Sequence, residues 1–213
     1  MKKRLIPLYV ALLLATIACS VQGRMSTHQS GDVLFQDNFS NPSSGWDRVK
    51  AVEGETNYAQ GAYRIQVFQP KQSVWANPGL NFTDVRIEVD AVKSSGPDNN
   101  SLGVICRAND KNNFYFFIIS SDGYYGIGKF NGQDQALLGS KAMLPSEKIL
   151  KGEASNHLRA DCVGSQLTLY VNGEKIGEAQ DSQLSSGDVG LIAGAFDTAG
   201  TDISFSHFSV LQP

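Results

Sequence analysis

Val85-Arg86-Ile87-Glu88-Val89-Asp90-Ala91 is apolar at every odd position and charged at every even one. In an extended chain, residues two apart fall on the same side, so this run is a strand with one buried face and one wet face. The same period recurs downstream. Leu158, Ala160 and Cys162 alternate with His157, Arg159 and Asp161. Leu167, Leu169 and Val171 alternate with Thr168 and Tyr170, and Val189, Leu191, Ala193 and Ala195 form a further row. Phe114 to Ile119 is apolar throughout, which predicts a strand covered on both faces or with one face in a groove.

Turn residues punctuate these runs at Gly96-Pro97-Asp98, Asp122-Gly123, Asn131-Gly132, Asn172-Gly173 and Ser186-Gly187-Asp188. Asn172-Gly173 sits between two strand patterns and tolerates the positive φ of a type I′ turn, so it predicts a hairpin. Met143 to Lys151 has room for one helical turn between Pro145 and Gly152. A break of phase between Phe205 and Phe208 predicts a bulge at Ser206-His207. Short strands at this spacing over residues 34–213 predict an all-β domain of two antiparallel sheets, a jelly-roll sandwich.

The chain opens with a different signal. Met1-Lys2-Lys3-Arg4 is a basic cap, and Leu5 to Ala18 is an apolar run too short to remain as a membrane span, which together predict a secretory signal over residues 1–18. Thr16-Ile17-Ala18-Cys19 resembles the lipobox of bacterial lipoproteins, with Thr16 where that family prefers leucine. The resemblance implies that Cys19 becomes the lipidated N-terminus and anchors the protein on the extracytoplasmic side of the envelope. Ser20 to Asp32 is polar and small, so residues 19–33 read as the lipidated end and a flexible tether.

The 213 residues include 18 Lys and Arg against 21 Asp and Glu, a formal charge of -3. Removing residues 1–18 takes away three positive charges, giving -3 - 3 = -6. An acidic surface excludes a nucleic-acid binder, which needs clustered cations, and it assigns any membrane attachment to the lipid rather than to surface charge. The three cysteines divide as one plus two. With Cys19 set aside, Cys106 and Cys162 lie on strands of an exported domain and form a disulfide if those strands meet; otherwise they are two buried thiols.

Several segments together carry a family resemblance: Asn113-Phe114-Tyr115-Phe116-Phe117, Asp122-Gly123-Tyr124-Tyr125-Gly126, Asn156-His157-Leu158-Arg159, Leu169-Tyr170-Val171-Asn172-Gly173 and Gly187-Asp188-Val189-Gly190-Leu191. They resemble the concanavalin A-like lectin/glucanase jelly roll. The chain is most similar there to bacterial lipoproteins related to the 3-keto-disaccharide hydrolase domain and to laminin-G-like modules. Phe35 to Phe39 and Phe205 to Phe208 look like that fold's paired terminal strands.

The resemblance implies three kinds of chemistry. Jelly-roll endoglucanases carry Glu-x-Asp-x-x-Glu on a strand, and Glu88, Asp90 and Lys93 match its first two positions but put an ammonium where the acid/base stands. A retaining pair needs two carboxyl groups about 5 Å apart, so no catalytic residue is assigned. Asn100 to Arg107 looks like a segment of the 3-keto-disaccharide hydrolases with one residue inserted, which makes Arg107 either a groove residue or a structural ion-pair partner. Related domains hold calcium through loop oxygens, and Asp98, Asn99, Asn100 and Asp110 supply such oxygens, but ordinary Asx turns account for both loops and no metal ligands are assigned. His28, His157 and His207 are scattered, with His157 expected to point outward, and show no ligand spacing.

Binding of a carbohydrate or glycoconjugate without cleavage asks for less: aromatic faces and a few fixed polar groups. Trp75, Arg107, Asn113, Tyr115, Phe117, Tyr125 and Lys129 form the candidate ligand-binding set, with Tyr63 and Tyr124 also available. Of the two rows of the Phe114–Ile119 strand, the one carrying the phenol, Tyr115 with Phe117, is expected to face the groove. Trp46 is expected in the core. The alternatives are an enzyme acting on 3-keto-glycosides and a protein-binding adhesion or spacer module.

Overall fold

The computed structural model describes residues 29–110, 112–132 and 134–213. The predicted signal, Cys19 and the tether as far as His28 lie outside the described residues. Fifteen strands follow in chain order: β1 (Val33–Asp37), β2 (Gly54–Ala59), β3 (Ala62–Val67), β4 (Gln72–Ala76), β5 (Val85–Ser95), β6 (Asn100–Asp110), β7 (Asn113–Ile119), β8 (Tyr124–Asn131), β9 (Gln135–Leu137), β10 (Leu144–Pro145), β11 (Asn156–Val163), β12 (Gln166–Val171), β13 (Glu174–Gln180), β14 (Asp188–Ala195) and β15 (Thr201–Leu211). The single turn expected after Met143 is instead the short strand β10 followed by a turn closed by Ile149 N–H to Ser146 O.

Two antiparallel sheets result. One runs β13-β12-β11-β5-β15-β3-β2, with β1 also pairing β15; the other runs β10-β8-β7-β6-β14-β4, with β9 also pairing β8. The alternation that defines β5 sets the first sheet's inner face. Val85, Ile87 and Val89 stand opposite Cys162, Ala160 and Leu158 of β11, which in turn stand opposite Leu167, Leu169 and Val171 of β12. All nine are buried, so period two in sequence becomes a continuous apolar surface across three strands. At the Asn172-Gly173 hairpin both residues have positive φ, as a type I′ turn requires. The predicted bulge is present: the β15 register shifts between Ser206 and Ser209, and His207 has a positive φ.

The second sheet packs against this surface through Leu102, Val104 and Cys106 of β6, Tyr115, Phe117 and Ile119 of β7, and Val189, Leu191 and Ala193 of β14. The phenol row therefore fills the inter-sheet core, against expectation, and Tyr115 and Phe117 are both fully buried. Trp46 sits as expected in an aromatic nest, its ring 4.9 Å from Phe208 and 5.2 Å from Tyr63, with its indole N–H donating to Asp37. Tyr63 belongs to the same nest and is no surface aromatic.

Cys106 and Cys162 form a disulfide. They are not neighbours in one sheet. Cys106 on β6 and Cys162 on β11 face each other across the sandwich, so the bond joins the two layers. Closing a loop with a sequence separation of 56 contributes on the order of 4 kcal/mol by the loop-entropy argument. At the N-terminal end, Gly31 N–H donates to Gln212 O and Gln212 N–H to Asp32 O, extending the β1–β15 pairing.

Candidate functional site: the outer face of the seven-stranded sheet

With Tyr115 and Phe117 turned inward, the pleat of β7 turns Phe114, Phe116 and Ile118 outward. Cross-strand register carries this face along the sheet. Ile118 stands opposite Gly103 and Gly126, Phe116 opposite Ile105 and Gly128, and Phe114 opposite Phe130. On β14, Ile192 and Gly194 stand opposite Gly103 and Ser101, and on β4 Trp75 and Ser73 continue the same rows. The outer face is thus a bed of glycines from which a few large groups rise. Close approach needs them: a Cβ on Gly128 would fall 2.2 Å from the Phe116 ring, and one on Gly194 would fall 2.5 Å from Ser101 Oγ.

Trp75, Phe114 and Phe130 converge there, with ring centroids 5.2, 5.6 and 5.3 Å apart in tilted and edge-to-face arrangements. Leu137 and Met143 cover the Gly126 end of the face. The part left open is a recess of about 550 Å³ against Trp75 and Phe130. Lys71, Gln72, Ser73, Ser101, Gln135 and Asp197 supply its polar lining. None of the Lys71, Gln72, Gln135 and Asp197 side chains has a hydrogen-bond or ion-pair partner among the described residues. A ligand entering the recess meets aromatic side chains together with solvent-exposed donors and acceptors that no protein group engages. The recess holds one carboxylate, Asp197.

Of the seven candidate residues, only Trp75 lines this recess. Arg107 is a buried scaffold residue, 2% exposed, whose guanidinium donates to the carbonyls of Thr83, Gly164 and Leu184 and to Asp84. Those bonds tie three loops to the end of β6, which is the structural role weighed for it in the sequence. Asn113 donates to Asp110 and closes the turn before β7. Tyr125 points inward, its ring over Gly177 of β13, where a Cβ would lie 2.4 Å away.

Lys129 and Tyr115 meet on Asp181, just past β13. The ammonium is 2.8 Å from one carboxylate oxygen, the phenol donates to the other, and Tyr115 Oη accepts from Leu184 N–H. Burial raises the Tyr115 pKa, and the bond to Asp181 raises it further. Burial works against ionisation of Asp181 as well, but the hydrogen bonds from Lys129, Tyr115 and Gln183 N–H outweigh it and hold the carboxyl below the usual range. These side chains latch the two sheets together rather than forming a ligand wall.

The other candidate chemistry lies elsewhere. Glu88 and Asp90 are on β5, in the eight-stranded sheet, and face outward on the opposite side of the sandwich. Lys93 has the opposite phase: it is buried and bonded to Gly96 O and Asp98, so the three residues of the endoglucanase-like spacing do not share a face. His157 and His207, scattered in sequence, come together because β5 lies between β11 and β15. Their Nδ1 atoms are 2.7 and 3.0 Å from the two oxygens of Asp90. Among the described residues, no group of three or more His, Cys, Asp or Glu has the geometry to hold a metal ion. In the loops weighed for calcium, Asp98 bonds Lys93, Asn100 bonds Pro97 O and Ser121, and Asp110 bonds Asn112 and Asn113.

No protein-family model and no curated protein matches the sequence. Solved structures do match. A Bacillus subtilis protein of unknown function with a galectin-like fold superposes with a TM-score of 0.62 at 13% identity, covering 87% of this chain and 98% of that one. The Bacillus licheniformis beta-glucanase gives 0.59 at 10% identity over 87% and 100% of the two chains. The carbohydrate-binding module CBM66 from Bacillus subtilis gives 0.55 at 17% identity over 79% and 96%. The fold is a concanavalin A-like jelly roll. At these identities the likeness defines the jelly roll and not its ligand. Within it, every recess residue but Trp75 was missed from the sequence, among them the aromatics Phe130 and Phe196 and the charged Lys71 and Asp197. The signal that leads to the face they share is the alternation of glycine with large groups in Gly126-Ile127-Gly128-Lys129-Phe130 and Gly190-Leu191-Ile192-Ala193-Gly194, which marks one face of each strand as closely approached; it reaches Phe130 and Gly194 of the lining and not the polar rim.

Proposed function

We propose that this protein is an extracytoplasmic, lipid-anchored module that binds a carbohydrate or glycoconjugate in the outer-face recess without cleaving it. The observation that carries this reading is the pairing of half-buried Trp75 and Phe130 rings with unpartnered polar side chains in one recess. Sugars present an apolar C–H face and a rim of hydroxyls, and this lining offers a surface for each. Two structural neighbours, a carbohydrate-binding module and a beta-glucanase, are in keeping with it. Cleavage by a retaining or inverting mechanism needs two carboxyl groups flanking the bond, and the recess offers Asp197 alone, which favours binding.

A glycan array followed by calorimetry on the hits tests the reading. Replacing Trp75 with Ala is expected to weaken a bound glycan by about tenfold or more, as loss of a stacking aromatic does, while the cooperative thermal transition is retained. Failure to bind any neutral or charged glycan would overturn the reading, and so would unaltered affinity in the Trp75 variant.

A further inference from the structure

We propose that the free edge of β4 is a docking site for an extended basic peptide, which adds as a further strand to the seven-stranded sheet. Among the described residues, β4 pairs with β14 on one side and has no strand on the other. An antiparallel ladder uses the backbone groups of alternate residues, so the remaining N–H and C=O groups of Gln72–Ala76 point away from the sheet. Apart from the short N-terminal strand β1, which pairs only with β15, the other sheet edges are guarded. β13 carries Glu174, Lys175 and Glu178, β2 carries Glu55 paired with Lys50, and the far side of the seven-stranded sheet ends in β9 and β10, of three and two residues, the latter with Pro145. β4 reads Gln-Ser-Val-Trp-Ala, with neither charge nor proline.

A cleft of about 390 Å³ runs along this edge. Four consecutive β4 residues, Gln72 to Trp75, line one side, and Asp47, Val49, Ala51, Glu53 and Gly54 line the other. The cleft closes beyond Ala76, where Asp47 N–H donates to Asn77 O, and before that it offers the Gln72–Trp75 backbone along one wall and the side chains of the 47–53 turn segment along the other. The Asp47 and Glu53 carboxylates have no hydrogen-bond or ion-pair partner among the described residues, so the cleft is acidic and fits Lys or Arg side chains. The same wall argues against a second copy of this chain. Two such acidic walls brought together would repel.

The probe is the blocked octapeptide acetyl-Thr-Lys-Val-Lys-Val-Thr-Lys-Val-amide, titrated against the purified protein. Two further versions carry N-methyl groups on the odd or on the even amides, so that each loses the hydrogen bonds of one strand edge. The unmodified peptide is expected to bind with an affinity that falls as salt is raised. One methylated version should retain binding and the other should lose about tenfold or more, because only one edge faces β4. The paired change Asp47→Lys with Glu53→Lys should lower affinity about tenfold at low salt. Amide exchange in Gln72–Ala76 should slow in the complex. Absence of binding, equal loss or equal retention by both methylated peptides, or salt-independent affinity would each overturn the proposal. The wild-type salt and methylation series decide the matter even if the charge variant does not fold. Glycan binding in the recess is measured separately, so failure of either site leaves the other standing.

Discussion

Arg107 shows how far a side chain can travel from its apparent meaning. In sequence it ends a segment that resembles a hydrolase strand; in the fold it is 2% exposed and saturates three loop carbonyls. Changing Arg107 to Ala leaves those acceptors without a donor and opens space at the end of β6. The expected loss is about 3 kcal/mol, read as a lower urea midpoint, with glycan affinity of the surviving folded protein unchanged. A drop in affinity without a drop in stability would restore Arg107 to the ligand site. Lys129 has a different signature, in pH. Its bond helps hold the Asp181 carboxyl below the ordinary range, so the native state releases that proton more readily than the unfolded chain. The resulting stabilisation is present above the unfolded value of about 3.9 and is lost as pH falls through the lower folded value. Lys129→Met is therefore expected to cost about 1–2 kcal/mol at pH 7, with the gap to wild type narrowing below about pH 4. A gap that stays constant from pH 7 to pH 3 in urea unfolding would mean that the ion pair contributes nothing through charge.

Among the strands, period-two patterns translated directly into buried rows on β5, β11 and β12, because each of those strands has one polar face to fix its phase, and on β14, where Gly190 and Gly194 leave the other row with little apolar surface to compete. β7 has no polar face. With six apolar residues in succession, which row meets the other sheet is set by what it meets there, and the decision falls to partners distant in sequence. Tyr115 turns inward because Asp181 and Leu184 N–H receive its hydroxyl, and nothing near residue 115 announces residues 181 and 184. The histidine pair on Asp90 was illegible for the same reason, since only the sheet order β11-β5-β15 brings positions 157 and 207 together. The Asn172-Gly173 turn was legible, whereas Gln60-Gly61, which turns β2 into β3 with positive φ at both residues, lacks the Asn or Asp that marks such turns. The glycines of β14 were legible and unused. Gly194 forms part of the recess floor, and a Cβ there would lie 2.5 and 2.9 Å from the Ser101 and Ser73 hydroxyls, which can rotate, and 3.3 Å from Gln72 O, which cannot. Gly194→Val should therefore fold with a penalty of about 1–3 kcal/mol and lose glycan affinity by about tenfold or more. Full affinity in that variant, measured by calorimetry, would place the sugar away from this face.

Taken as a whole, the jelly roll has a near end and a far end. Val33 and Gln212 lie with Asn81 to Asp84, beyond the Ala76 end of β4, while Lys71 and Asp197 lie at its Gln72 end. The chain enters the domain at one end of that strand and the polar rim of the recess opens at the other. A module held from its N-terminus therefore carries the recess away from its point of attachment. A charge of -6 on the chain without residues 1–18 gives no electrostatic reason for the domain to lie on an anionic membrane, so the attachment proposed above rests on covalent lipid at Cys19. One acyl chain gives only marginal, reversible binding, and the diacylglyceryl and amide-linked chains of a lipobox cysteine exceed the two anchors that stable attachment needs. Expressed in a bacterium fed labelled palmitate, the wild-type chain is expected to take up label and partition into the detergent phase of a cloud-point extraction. Cys19→Ser should abolish both while leaving the Cys106–Cys162 disulfide and glycan affinity intact, because Cys19 lies ten residues before the first described residue. Label retained in the Cys19 variant would move the lipid to another residue, and an unlabelled wild-type chain in the aqueous phase would remove the anchor and leave a freely diffusing jelly roll.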